Sequence, residues 1–135
     1  MDRERIRQAV GAIGIYDFGE STAPLFEIDA LINASHGEPQ ARAWLEEELV
    51  AVLTTDAGLA AKQEICRRLW RIGTDASLEQ LAQLLADSDP KVVAAACYAI
   101  GGRPSQRADA VLRAALGAAP AACRASIQHL IEDRG

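Results

Sequence analysis

Aromatic side chains make up only 4% of the 135 residues, and methionine occurs once. A sheet sandwich rich in Val, Tyr and Thr fits such a composition poorly. No apolar run approaches the ~20 residues of a membrane span, so no membrane partner is expected. The opening MDRERIRQAV alternates charge and lacks the apolar stretch of a signal peptide. Histidine occurs only at positions 36 and 129, which gives neither an HExxH pair nor the makings of a serine triad. The three cysteines, 66, 97 and 123, form no CxxC pair and no even set, which points to reduced thiols in a cytoplasmic protein. They read as small hydrophobes inside alanine-rich helices. Only Cys123, beside Arg124, is a candidate reactive thiol, on condition that it is exposed. The glycines of GAIGIYDFG follow no expected strand, so they do not read as a nucleotide loop. No catalytic residue, metal or cofactor is expected.

Alanine and leucine supply most of the 50% apolar content, and they favour closely packed helices. The net charge of −5 is unevenly spread. Residues 1–59 carry 4 basic and 11 acidic side chains, net −7, whereas residues 60–135 carry 10 and 8, net +2. An acidic chain lacks the dominant basic footprint of a dedicated nucleic-acid binder.

Helical spacing of apolar residues predicts eight helices. The first places Ile6, Val10 and Ile13 on one face. IYDFGES then interrupts, either as a recognition loop or, in the preferred reading, as a hydrophobic plug with a glycine turn. Ser21 and Thr22 are cap candidates for a second helix that holds Pro24 near its start and stops at Ser35-His36-Gly37. A third runs from about Pro39 to Leu53, with Glu46, Glu47 and Glu48 read as a solvated face. Asp56 stands near the start of a fourth, which ends at Gly73. Asp75 or Ser77 caps a fifth. After DSDP, a sixth runs from Lys91 to Ile100 and is broken by GGRPS. The last two carry Val111, Leu112 and Leu116, then Ile127, Leu130 and Ile131.

The chain also repeats. Cys66 and Leu69 recur as Cys97 and Ile100, and again as Ile127 and Leu130, with a period near 31. In the partner helices Leu49, Val52 and Leu53 recur as Leu81, Leu84 and Leu85, and Leu81 and Leu85 recur as Leu112 and Leu116. Outer helices are leucine-rich because each buries one face. Inner helices are rich in small residues because neighbouring repeats hem them in on both sides.

The sequence LEQLAQLLADSDPKVVAAACYAIGG, with AKQEICRRLWRIGT before it and a looser match over 105–133, resembles a HEAT repeat, closest to the short bacterial, phycobilisome-lyase-like kind. The resemblance covers about residues 40–133. It implies an all-α, right-handed α-solenoid of about four antiparallel helix pairs in one domain, 1–135. Residues 1–37 would form a degenerate capping pair, and 38–133 three repeats. HEAT repeats often place an arginine after the inner-helix valine, paired with a turn aspartate of a neighbouring repeat. Val93 stands there instead, with Lys62 and Cys123 as its equivalents, so packing is expected to carry more of the stability.

Alignment of the repeats puts Lys62, Arg67 and Arg71, then Val93 and Tyr98, then Arg124 and Gln128 on the exposed inner-helix side. Solenoids commonly bind through that side, and Arg and Tyr are enriched at interface hot spots. The leading expectation is a non-catalytic scaffold that uses Lys62, Arg67, Arg71, Tyr98, Arg124 and Gln128 to bind a protein, with an acidic surface as the suggested complement. A nucleic-acid-binding module and a phycobilin lyase or chaperone are the alternatives.

Overall fold

The structure, a computed structural model, describes residues 1–103 and 105–134. Eight α-helices follow one another among these residues: α1 (Arg3–Gly14), α2 (Ala23–Ala34), α3 (Pro39–Leu53), α4 (Leu59–Ile72), α5 (Leu78–Leu84), α6 (Pro90–Gly101), α7 (Gln106–Leu116) and α8 (Ala121–Arg134). A 3-10 turn, Asp75–Ser77, leads into α5. The described residues contain no strand. Pro104, the proline of the expected GGRPS break, lies outside them.

Local chemistry explains the boundaries. Asp2, Asp89 and Ser105 cap α1, α6 and α7 by accepting from the backbone N–H of Glu4, Lys91 and Ala108 at 3.1, 2.9 and 3.1 Å. Gly37, at φ +79°, makes the turn between α2 and α3 that other residues resist. The start of α5 is built from two residues rather than one cap. Ser77 takes the expected N-cap position of α5 without a side-chain cap bond, and Thr74 caps the 3-10 turn before it with its Oγ1 on the Ala76 N–H. Asp56 stays exposed, and Gly58 opens α4 without a side-chain bond.

Consecutive helices pair antiparallel, and the pairs stack as an α-solenoid. Helices α2, α4, α6 and α8 form the inner row, and α1, α3, α5 and α7 the outer row, with α4 and α6 the most closely packed neighbours. One continuous core runs through the stack, built from Ile6 and Ile13 at one end through Leu45, Leu49, Ile65, Leu69, Leu81 and Ile100 to Leu112 and Ile127 at the other. Each fully buried Leu or Ile contributes about 1.5–3 kcal/mol of transfer free energy.

The glycine pair of AIGG has a packing role. A Cβ on Gly101 would press on Leu130 of α8, and one on Gly102 would overlap the Trp70 indole of α4. Both neighbouring repeats therefore close onto the end of α6. Ala96 is fully buried in the same helix, whereas Ala94, two residues earlier, is exposed. Ala96→Leu is expected to overpack the stack and cost about 1–3 kcal/mol. Ala94→Leu should change stability by less than about 0.5 kcal/mol. Equal shifts of the two denaturation midpoints would refute this facing of α6.

The three consecutive glutamates do not share a solvated face. Glu46 is 5% exposed and turns inward, where Oε2 accepts from the Thr74 N–H at 2.6 Å and Oε1 from the Thr74 hydroxyl at 2.8 Å. Glu48 is half-buried against α1 and accepts from Arg3 and Arg7. Only Glu47 is exposed, although it too meets Arg3, at 2.8 Å. The helical rotation of 100° per residue sends three neighbours in three directions.

The Thr74 turn continues this polar joint. Arg103, buried at 5% exposure, donates through Nη1 to the Thr74 carbonyl, and Ser105 donates to Asp75 at 2.9 Å. Burial lowers the affinity of the Arg103 guanidinium for its proton, and the charges of Glu46 and Asp75 work against that loss. The turn after α4 is thereby joined to α3 on one side and to the connection after α6 on the other. Of the ladder that the family resemblance suggests, one rung is present: Lys62 lies 4.0 Å from Asp87 of the next turn.

A candidate protein-docking groove

Helix α4 presents Gln63, Cys66, Arg67 and Trp70 along one stripe, and α6 presents Lys91, Ala94, Ala95 and Tyr98 along another. Both stripes follow the i, i+3, i+4, i+7 spacing of a single helix face. Between them lies an open groove of about 610 Å³, lined by Gln63, Cys66, Arg67, Lys91, Ala94, Ala95 and Tyr98. Alanines on α6 keep it wide, and Arg67 and Lys91 place cations on opposite walls. At one end the Trp70 and Tyr98 rings stack with centroids 5.4 Å apart and planes 23° from parallel. Both rings are about half-exposed, so they offer an apolar platform to the outside.

The six expected contact residues separate into three groups. Arg67 and Tyr98 line the groove, Arg67 while also pairing with Glu64 of its own helix at 3.5 Å. Lys62 and Arg71 are engaged elsewhere: Lys62 in the rung to Asp87, Arg71 as a donor to Asn33 of α2. Arg124 and Gln128 are exposed on α8, beyond the groove, where Arg124 donates to the Ala119 carbonyl at 3.4 Å and Gln128 to Glu132 at 3.1 Å. Val93, expected on the exposed side, is instead 1% exposed and part of the core. Its neighbour Ala94 takes the outward position, one residue of rotation away.

Lys91 and Gln63 line the groove, Trp70 adjoins it through its stack on Tyr98, and none of the three was among the expected residues. Trp70 follows Arg67 by three positions, so helical phase alone carries a signal for it. Arg68 was also missed. It grips Asp29 of α2 at 3.1 and 3.0 Å and pairs with Glu64, tying the first helix pair to the second.

All three thiols are buried. Burial pushes Cys66 up to about 12, slightly opposed by Lys62, and Cys97 up to about 11, with Cys123 adding to the rise. Near neutral pH Cys66 and Cys97 are therefore protonated, and Cys66, though it touches the groove floor, is no nucleophile. Cys123 does not meet the condition of exposure under which it was a candidate. His36 is exposed, and His129 lies 3.3 Å from Asp133. Among the described residues no three His, Cys, Asp or Glu side chains come together as metal ligands, and no helix is long and apolar enough to cross a membrane.

The family profile described as HEAT repeats matches residues 46–131, well over half of the chain. The chain is a HEAT-repeat protein. The match covers α4 and α6 and so includes both walls of the groove. No curated protein and no solved structure matches the sequence. HEAT repeats commonly serve as protein-interaction scaffolds and are generally non-catalytic. In this HEAT-repeat protein the inner-row helices bring the basic and aromatic side chains together.

Proposed function

We propose that this HEAT-repeat protein is a non-catalytic adaptor whose α4–α6 groove binds an acidic segment of another protein. The observation that carries the reading is the joint placement of Arg67 and Lys91 across an alanine-floored groove closed by the Trp70–Tyr98 stack. A carboxylate would meet the two cations, and an apolar side chain would rest on the rings. Arg71, Arg124, Gln128 and Lys62 extend the same inner-row surface and would steer the partner more than grip it. In this reading α1 and α2 cap one end of a single stacked domain, with the Arg68–Asp29 pair holding the cap in place. The buried free thiols suit work in the reducing cytoplasm. They also count against a lyase acting through its own cysteine.

The test uses a labelled peptide of alternating glutamate and leucine, followed by anisotropy and by Trp70 fluorescence in a Trp44→Phe background. Arg67→Glu with Lys91→Glu is expected to weaken binding about tenfold or more, with an unchanged helical spectrum. Equal binding by this variant would remove the groove from the reading. Tighter binding of single-stranded DNA than of the peptide, with a steep salt slope, would favour the nucleic-acid alternative.

A further inference from the structure

The 15–22 connection is not a plug. Ile15 is 83% and Phe18 62% exposed, and only Tyr16 is half-buried. The turn is nevertheless well built. The Asp17 N–H donates to Glu20 Oε1 at 2.7 Å, the Phe18 N–H to Asp17 Oδ1 at 2.8 Å, and the Glu20 N–H to the Asp17 carbonyl at 3.2 Å. Gly19, at φ +84°, supplies the left-handed position that closes it. The result is an ordered knob with an aromatic tip between two carboxylates, lying in the half of the chain with net charge −7. Ordering before contact lowers the entropic cost of docking.

Resting on the reading of the groove given above, we propose that a second copy of this chain docks its Ile15–Glu20 knob into the α4–α6 groove. The two surfaces match in kind. Phe18 meets the Trp70–Tyr98 platform, and Asp17 and Glu20 meet Arg67 and Lys91. The knob cannot reach the groove of its own molecule. It is tied at both ends to α1 and α2, whereas the groove lies between α4 and α6, the next two helices of the inner row, whose packed axes are about 8–10 Å apart. The contact is therefore between copies. It is also heterologous, since knob and groove are different surfaces, so each docked pair leaves one knob and one groove free. A contact made through one short loop buries little surface and is expected to be weak and transient. Self-docking then shields the groove at high concentration, and an acidic partner must displace the knob.

Sedimentation equilibrium of the full chain tests this between about 10 µM and 1 mM, the range in which a weak contact titrates. The mean mass is expected to rise above the 14.4 kDa of the monomer with concentration, and to fall back when salt is raised to about 0.5 M. The knob variant Ile15→Ser with Phe18→Ser and the groove variant Arg67→Glu with Lys91→Glu should each remain monomeric. Mixed together they should associate one to one and stop, because only one intact knob and one intact groove remain. Monomeric wild type across the range, or variants that associate as wild type does, would overturn the proposal. The knob variant keeps its groove, so the glutamate–leucine peptide separates the two readings. Peptide binding by a protein that never self-associates sinks self-docking alone. Failure of the peptide to bind sinks both.

Discussion

Glu46→Ala is expected to cost about 3–5 kcal/mol of unfolding free energy, while Glu47→Ala, one residue away, costs less than about 1 kcal/mol. The two side chains are chemically identical and differ only in where α3 points them. Removing the Glu46 carboxylate takes the acceptor from both the Thr74 N–H and the Thr74 hydroxyl. It also takes away the first of the two negative charges that compensate the buried Arg103 guanidinium. Two of the three Arg103 nitrogens, Nε and Nη2, have no hydrogen-bond partner among the described residues, so compensation by charge matters more there than it would for a fully bonded arginine. Glu46→Gln keeps an acceptor for Thr74 and loses the charge, and an intermediate cost of about 1–3 kcal/mol is expected. Urea denaturation of the three variants decides the matter. Equal midpoints for Glu46→Ala and Glu47→Ala would show that the joint around Thr74 does not hold the repeats together.

That joint was illegible in the sequence for a physical reason. The apolar recurrences of Cys66, Cys97 and Ile127, and of Leu49, Leu81 and Leu112, report a face that every repeat must bury, so they survive as a period. Polar joints have no such period. Glu46, Thr74 and Arg103 lie 28 and 29 residues apart and differ in type, and each reads by itself as an ordinary surface or turn residue. Periodicity therefore predicted the eight helices, their pairing and the small-residue inner row. Composition could not tell which of Glu46, Glu47 and Glu48 turns inward. Val93 shows the same limit at finer grain. Repeat alignment placed it outward by analogy with Lys62, yet β-branched valine is buried and Ala94 takes the surface position.

The candidate groove was legible in part. Arg67 and Tyr98 stand out because large or charged residues are rare on inner helices that otherwise carry alanine. Lys91 was missed because it sits at the start of α6, where sequence reads as a boundary, and Trp70 because a large apolar side chain beside Leu69 reads as core. Gly102 holds the missing clue. A glycine after AIG looks like a helix stop, and in three dimensions it is also the seat of the Trp70 ring. The IYDFGES segment was misjudged for a related reason. An apolar cluster in a loop suggests burial, but its backbone is satisfied by Asp17 and Glu20 within the turn, so nothing draws Ile15 and Phe18 inward.

Leu81→Ala is expected to cost about 3–5 kcal/mol, toward the upper end for a buried leucine. Such a loss is a large share of the 5–15 kcal/mol that stabilises a typical domain. Helix α5 spans only Leu78–Leu84, too short to persist by its own hydrogen bonds, so packing must hold it. Leu81 is fully buried at its centre, with Leu78 and Leu85 on either side, and α5 rests against α6, α7 and the Asp75–Ser77 turn. The cavity left by alanine would open between outer and inner rows with little backbone able to collapse into it. A leucine at the margin gives the contrast. Leu116 is only half-buried at the end of α7, and Leu116→Ala should cost about 1–2 kcal/mol. Native-state hydrogen exchange adds a positional readout. In the Leu81→Ala protein the amides of α5 and its preceding turn are expected to exchange ahead of those of α3 and α4, since the second repeat loses its outer wall before its neighbours do. Uniform acceleration along the chain, with a cost under about 1 kcal/mol, would mean that α5 is held by something other than its leucine face.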